Sequence, residues 1–282
     1  MLAQFIYNLN PVMLALLVLA GTLSASLLCV LFCRYFIKIA YSEDAEFKIE
    51  TYSDAFGIAF AILLGLIIVS AWTSYDQTDD YVRSEVNYLN DLYRLSNYFN
   101  DSEKAELQQN LKKYVSHVIE EEWPLLPQGK YSKLADTILF HNFDILYRHG
   151  ITDKLDEFVH SEVNKIATHL TEKRRSRILN AHSSLTPIMW IILISCNLIA
   201  FFILALAAQG PITFHGLLQS LYALGIGLML LLVIILDRPF YYGVYYGGGI
   251  SSEHFESLLH DWNEKEDKKA LQSGVDRHPE AL

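Results

Sequence analysis

Residues 178–236 read ILNAHSSLTPIMWIILISCNLIAFFILALAAQGPITFHGLLQSLYALGIGLMLLLVIIL, a run of 59 positions without one Asp, Glu, Lys or Arg. A helix crossing the roughly 30 Å hydrocarbon core of a bilayer needs about 20 apolar residues, so this run holds two crossings. The Gly-Pro pair in Gln209-Gly210-Pro211 marks the turn between them. A second charge-free run, 21 residues from Ala55 to Tyr75, has room for one more. The apolar stretch from Val12 to Cys33 has no cationic leader, is longer than the usual signal-peptide core, and ends in Arg34 and Lys38 without a convincing small-x-small cleavage site. It is therefore expected to remain as a first span rather than to be removed as a signal peptide. The pattern predicts an all-α, polytopic membrane protein with four transmembrane helices near 12–38, 54–75, 186–208 and 216–236.

The composition is only moderately apolar, 52% hydrophobic with a mean hydropathy of +0.20, as expected when a membrane bundle carries a large water-exposed portion. The net charge of −10, with no basic run longer than Lys173-Arg174-Arg175, excludes nucleic acid as the main partner. Cys29, Cys33 and Cys196 all lie within apolar runs and read as packing residues. Glu43, Asp44 and Glu46 are expected in a short loop between the first two spans.

About 110 residues of different character separate the second and third spans, and they read as helical throughout. Val82, Val86, Leu89 and Tyr93 continue the second span as an amphipathic rod. Asn100 with Glu103 resembles a capping box opening a helix whose apolar face is Leu107, Leu111, Tyr114 and Val118. Pro124, Pro127 and Gly129 end it. A third segment carries Leu134, Ile138 and Ile145 up to a stop at Gly150, and a fourth presents Val159, Val163, Ile166 and Leu170. Phe255, Leu258, Leu259 and Trp262 form a short amphipathic helix, with a polar tail from Glu264 expected to be disordered. The expected organisation is helices one and two in 1–75, a helical cytoplasmic domain in 76–180, helices three and four in 181–240, and the amphipathic helix and tail in 241–282. Basic residues set the orientation: Arg83, Arg94, Lys165, Lys173, Arg174, Arg175, Arg177 and Arg238 on one side outnumber Arg34, Lys38 and Lys48 on the other. By the positive-inside rule the insert and both termini are expected in the cytoplasm, with the spans in the plasma (inner) membrane.

In the second span Gly57, Ala61 and Gly65 lie at i, i+4 and i+8, a small-residue face on which another helix can pack. Phe56, Phe60, Leu63 and Ile67 point elsewhere, to lipid or to a hydrophobic constriction that gates by dewetting. Trp72, Tyr75 and Trp190 suit an interfacial aromatic belt. Pro187 either opens the third span at its first turn or kinks a helix continuous with the fourth insert helix. Lys173, Arg174, Arg175, Arg177 and Arg238 read as contacts to anionic headgroups or as a vestibule that concentrates anions. The scattered histidines have no metal-site spacing, and Glu120, Glu121 and Glu122 read as solvated surface, so no metal and no cofactor are expected. No Walker loop, GxGxxG or GxSxG occurs, and His182 with the distant Asp237 and Arg238 forms no motif, so the chain does not read as an enzyme.

The order of motifs carries more than any one of them: Ala71-Trp72 after a glycine-bearing span, Glu85 and Leu92-Tyr93-Arg94-Leu95, Glu122-Trp123-Pro124, Arg174 to Arg177 with Pro187 and Trp190, then Asp237-Arg238-Pro239-Phe240 with Gly243. This order resembles the bacterial bestrophin-like domain family over nearly the whole chain. The resemblance implies a homo-oligomer, pentameric as in bestrophins, in which four membrane helices per subunit flank a helical cytoplasmic domain and the second helix lines an anion pore. The acidic calcium clasp of animal bestrophins has no match. The expected function is a homo-oligomeric ion channel in the lipid bilayer, with anions favoured and a hydrophobic neck on the second span. Spans without fixed charge argue against a coupled transporter or pump, which need an ionisable group or a broken helix near the midplane. A non-conducting scaffold or signalling protein, whose cytoplasmic domain docks a partner, is the alternative.

Overall fold

The computed structural model describes residues 10–37, 43–148, 154–182, 184–207, 212–241 and 249–275, all in helices and short connections. Among the described residues eight α-helices follow in order: α1 Pro11–Phe36, α2 Glu43–Leu95, α3 Asp101–His117, α4 Lys133–Arg148, α5 Lys154–Leu179, α6 Pro187–Leu206, α7 Ile212–Asp237 and α8 Glu253–Val275. Four of them, α1, α2, α6 and α7, are long and apolar enough to cross a membrane. The chain divides into two compact units, Met1–Tyr75 with Ser183–Pro239, and Asp76–His182 with Phe240–Leu282.

Local chemistry explains the boundaries. Asn10 caps α1, its side chain accepting from the Val12 amide, and Pro11 stands at the first helical position, where a missing N–H costs nothing. Pro187 likewise stands at the first helical position of α6, after Thr186, whose side chain makes no capping bond, so Pro187 begins a helix rather than kinking one that runs on from α5. Asn100 Oδ1 accepts from the Glu103 amide at 2.9 Å, the expected start of α3.

Several expectations are corrected. Glu43 begins α2 instead of lying in a loop, so one 53-residue helix includes the second span and the first part of the insert. The segment from Glu264 is helical as far as Val275. Leu134 is exposed, whereas Ile138 and Ile145 are buried as expected. On the inward face of α2 beyond the span Val82, Leu89 and Tyr93 are buried as expected, joined by Glu85 and Leu92, whereas Val86 is only half-buried. Gly150, the turn at Gln209-Gly210-Pro211, Lys38 and Gly243 lie outside the described residues.

In the first unit α1 packs closely against α6 and α7, while the α2 backbone keeps a greater distance from its neighbours. The core forms where Phe60, Leu64 and Ile67 of α2 meet Leu193 and Ala200 of α6 and Ile226, Leu230 and Val233 of α7. Trp190 is half-buried and packs against this core. A buried glutamine adds the polar ties expected of a membrane bundle: Gln219 Nε2 donates to the carbonyls of Ser26 and Phe201, at 3.3 and 3.1 Å.

Candidate functional site

Helix α2 presents two unlike sides within the first unit. Of the residues expected to line a neck, Phe60 and Ile67 are sealed against the chain's own α6 and α7, and Phe56 and Leu63 flank the same cluster. Ile58, Ile62, Leu66 and Val69 occupy the opposite side, each 60–65% exposed. They recur at steps of four, four and three, one stripe of a helix. Beside it Gly57 and Gly65 have no atom within 4 Å of where a Cβ would stand, and Ala61 is exposed. The small-residue face is thus not occupied by the described residues of this chain.

The second unit is organised around buried charge. Arg177, fully buried on α5, donates from Nε to Glu85 Oε2 at 2.7 Å and from Nη2 to Glu85 Oε1 at 3.1 Å, a two-pronged pair with α2. Nη2 also donates to Glu122 Oε1 at 2.8 Å. Arg174, one turn earlier, donates to Glu122 Oε2 at 2.6 Å and to Asp136. Tyr114 of α3 donates to Glu85 Oε1 at 2.9 Å, and the Ser132 amide to Glu122 Oε2 at 3.1 Å. Trp123 and Phe255 put their rings 5.3 and 5.6 Å from the Arg177 guanidinium, close enough for cation–π attraction.

A break in helical geometry delivers Glu122 to this cluster. Pro124 has no N–H with which to continue the α-ladder, and the Trp123 amide reaches the Val118 carbonyl five residues back, making Val118–Glu122 a π-turn. A short 3-10 stretch, Trp123–Gln128, follows and ends at Gly129 with φ 67°. The Lys130 and Gly129 amides close it on Leu125 and Leu126. Only glycine suits that position twice over, because its φ is left-handed and a Cβ there would overlap the His182 ring.

Burial pushes the Glu122 carboxyl up, but Arg177 and Arg174 outweigh it and hold the group below its ordinary value. Burial likewise opposes the Arg177 charge, and Glu85 and Glu122 more than offset it. The Tyr114 hydroxyl is pushed well above its usual value by burial and then by the Glu85 carboxylate. Each charge is thus fixed by its neighbours, and removing one partner of such a buried pair costs about 3–5 kcal/mol. The arrangement joins α2, α3, α5 and the turn before α4.

The structure therefore separates the cations expected to form one group. Arg174 and Arg177 are buried and paired, which removes them from any headgroup or anion-vestibule role. Lys173 lies over the Tyr81 ring at 5.2 Å, Arg175 is exposed and Arg238 is half-buried. Glu122, expected on the solvated surface, is fully buried. His182 is exposed and stands against Gly129, whereas Asp237 is buried in the first unit. Asp237 Oδ1 accepts from the Leu185 amide at 2.8 Å and from Ser184 Oγ at 3.1 Å, tying the approach to α6 to the end of α7. Among the described residues, the one group with the spacing of a metal site, His260, Asp261 and Glu264, is exposed on α8.

Four membrane-length helices, the second of them running on into a helical unit, define a class of polytopic membrane protein. The Bestrophin-like domain family matches residues 20–245, and the chain belongs to that family. Three crystal structures of a bacterial bestrophin homologue from Klebsiella pneumoniae share the fold. Two point mutants superpose with TM-scores of 0.66 and 0.67 at 12% identity, covering 88% and 89% of this chain and 98% of theirs. The form phased on zinc gives 0.63 at 13% identity, covering 88% of this chain and 97% of the other. No curated protein matches the chain.

Proposed function

We propose that this protein is a homo-oligomeric ion channel whose narrow part is an apolar neck formed by the α2 stripe Ile58, Ile62, Leu66 and Val69. The two-sidedness of α2 carries this reading. Phe60 and Ile67 anchor the helix to its own subunit, and the stripe on the other side faces away from all of the chain's described helices. A ring of copies, five by resemblance to bestrophins, would turn that stripe towards a common axis. Gly57, Ala61 and Gly65 leave room for a neighbouring helix at its edge. The excess of basic residues around the insert orients the second unit and both termini to the cytoplasm of a cell whose inner membrane holds the spans.

An apolar neck holds no fixed charge, so ion preference comes from the mouths. The anion preference expected from the cationic edge rests on Lys173 and Arg175, since carboxylates neutralise Arg174 and Arg177. Cation preference is favoured by a different observation: Glu50 and Asp54 stand exposed on α2, two turns and one turn before Ile58.

Purified full-length protein in liposomes tests both. Flux of chloride or of potassium is expected, and substituting Ile62 or Leu66 by Ser should raise it at least severalfold by wetting the neck. Liposomes that pass neither ion, with the protein folded, would instead support the scaffold reading. Flux unchanged by both substitutions would remove the stripe from the path.

A further inference from the structure

The second unit carries a recess that a conduction path along the α2 stripe does not use. It lies where α2 ends and has a volume of about 460 Å3. Asp91, Arg94 and Leu95 line it from the end of α2, Tyr98 from the 3-10 turn that follows, and Glu162 and Ile166 from α5. The turn is held by its own hydrogen bonds: the Asn97 side chain donates to the Arg94 carbonyl at 2.9 Å, and the Phe99 amide to the Ser96 carbonyl at 3.2 Å.

Opposite charges stand unneutralised on its rim. Asp91 and Arg94 are both exposed, and neither side chain makes an ion pair or a hydrogen bond with the described residues. Glu162, the other carboxylate in the lining, is already matched, accepting from Lys165 Nζ at 2.6 Å. Residues three apart on a helix hold their Cβ atoms about 5–6 Å from each other, so one small ligand reaches both Asp91 and Arg94. Exposed charges gain little by pairing with one another, and a ligand that takes both displaces almost nothing. The rest of the wall is largely apolar, with Leu95 and Ile166 half-buried and the Tyr98 ring exposed.

A simple anion drawn to Arg94 meets the Asp91 carboxylate, and a simple amine drawn to Asp91 meets the guanidinium. A neutral solute uses neither charge. An α-amino acid carries a carboxylate and an ammonium on one carbon, with a side chain left over for the apolar wall. Guanidinium grips a carboxylate with two parallel hydrogen bonds, and an ammonium offers three donors to a carboxylate. We propose that the recess binds a free α-amino acid with an apolar side chain, its carboxylate on Arg94, its ammonium on Asp91 and its side chain against Leu95, Ile166 and Tyr98. The volume lies within the roughly 300–1,000 Å3 of small-molecule sites.

The test titrates L-leucine into the full-length protein in nanodiscs, beside three analogues that each lack one feature. Saturable binding of one L-leucine per chain is expected. N-acetyl-L-leucine, without the ammonium, and L-leucinamide, without the carboxylate, should each bind at least about fivefold more weakly. Glycine, without the apolar side chain, should do the same. Arg94→Gln should weaken L-leucine at least about fivefold but not L-leucinamide, and Asp91→Asn should weaken L-leucine but not N-acetyl-L-leucine. Both side chains are exposed, so the melting temperature should persist in each variant. An analogue lacking either charge that binds as well as L-leucine would overturn the amino-acid assignment. L-leucine binding untouched by both substitutions, or no saturable binding, would overturn the site itself.

Discussion

At the scale of single residues, the second unit is decided by charged groups standing where apolar ones are expected. Val82, Glu85, Leu89 and Leu92 follow one stripe of α2, and Val163, Leu170, Arg174 and Arg177 follow one stripe of α5. Glu85, Arg174 and Arg177 therefore occupy positions that the helical period turns inward. That register was a legible signal: a charge on the buried stripe must find an opposite charge there. What the sequence could not supply was the pairing, because the partners are up to 92 positions apart. Glu122 was hidden for another reason. It reaches the interior through a π-turn, and three successive glutamates read as a solvated surface. Its lowered carboxyl gives a prediction with a definite sign. A group whose folded value is depressed contributes stability that is whole above its unfolded value, near 4.5, and is lost as pH falls through the lower folded value. The melting temperature of the native protein should therefore fall as pH drops below about 4.5, whereas Glu122→Gln should start lower at pH 7 and show a shallower acid decline. Parallel acid profiles from differential scanning fluorimetry would refute that role for Glu122.

At the scale of elements, α2 carries most of the meaning. At 1.5 Å per residue its 53 residues extend about 80 Å, far beyond the roughly 30 Å a bilayer core requires. The sequence announces both the apolar run and the amphipathic rod after it, and the absence of Pro or Gly between Leu66 and Leu95 lets them join. Which face of the apolar run meets which neighbour was not legible, because nearly every position there is apolar and no polar residue marks the outside. Phe60 and Ile67 turned out to face α6 and α7, leaving the stripe through Ile62 free. If neighbouring copies pack on the small-residue face, Gly65→Leu should leave the subunit's own melting intact, since its Cβ enters open space. The same change should shift the native mass in detergent from the oligomer towards smaller species. An unaltered oligomer mass would mean that subunits meet elsewhere.

At the scale of the whole molecule, each compact unit is assembled from pieces remote in sequence. The second unit recruits α8 from the C-terminal region. Trp262 is fully buried, stacks on Tyr93 with ring centroids 4.4 Å apart, and donates to Asn90 Oδ1 at 3.2 Å. Phe255 reaches the ring of Trp123 at 5.5 Å. Trp262→Ala should cost about 3–5 kcal/mol and free α8, seen as fast amide exchange across residues 253–268 with little change in α1, α6 and α7. Retained protection of α8 would show that its other contacts suffice. The sequence by itself determined the four membrane helices, the helical insert, the capping of α3 at Asn100, and the order of motifs that led to the family. Those follow from local chemistry: apolar length, helical period and the backbone demands of Asn, Pro and Gly. Only the tertiary structure decided that Arg174 and Arg177 are internal ties rather than a cationic mouth, that Glu122 is buried between them, and that α2 turns Ile58, Ile62, Leu66 and Val69 outward. Each of these depends on which distant side chain fills the space opposite, and no local pattern records that.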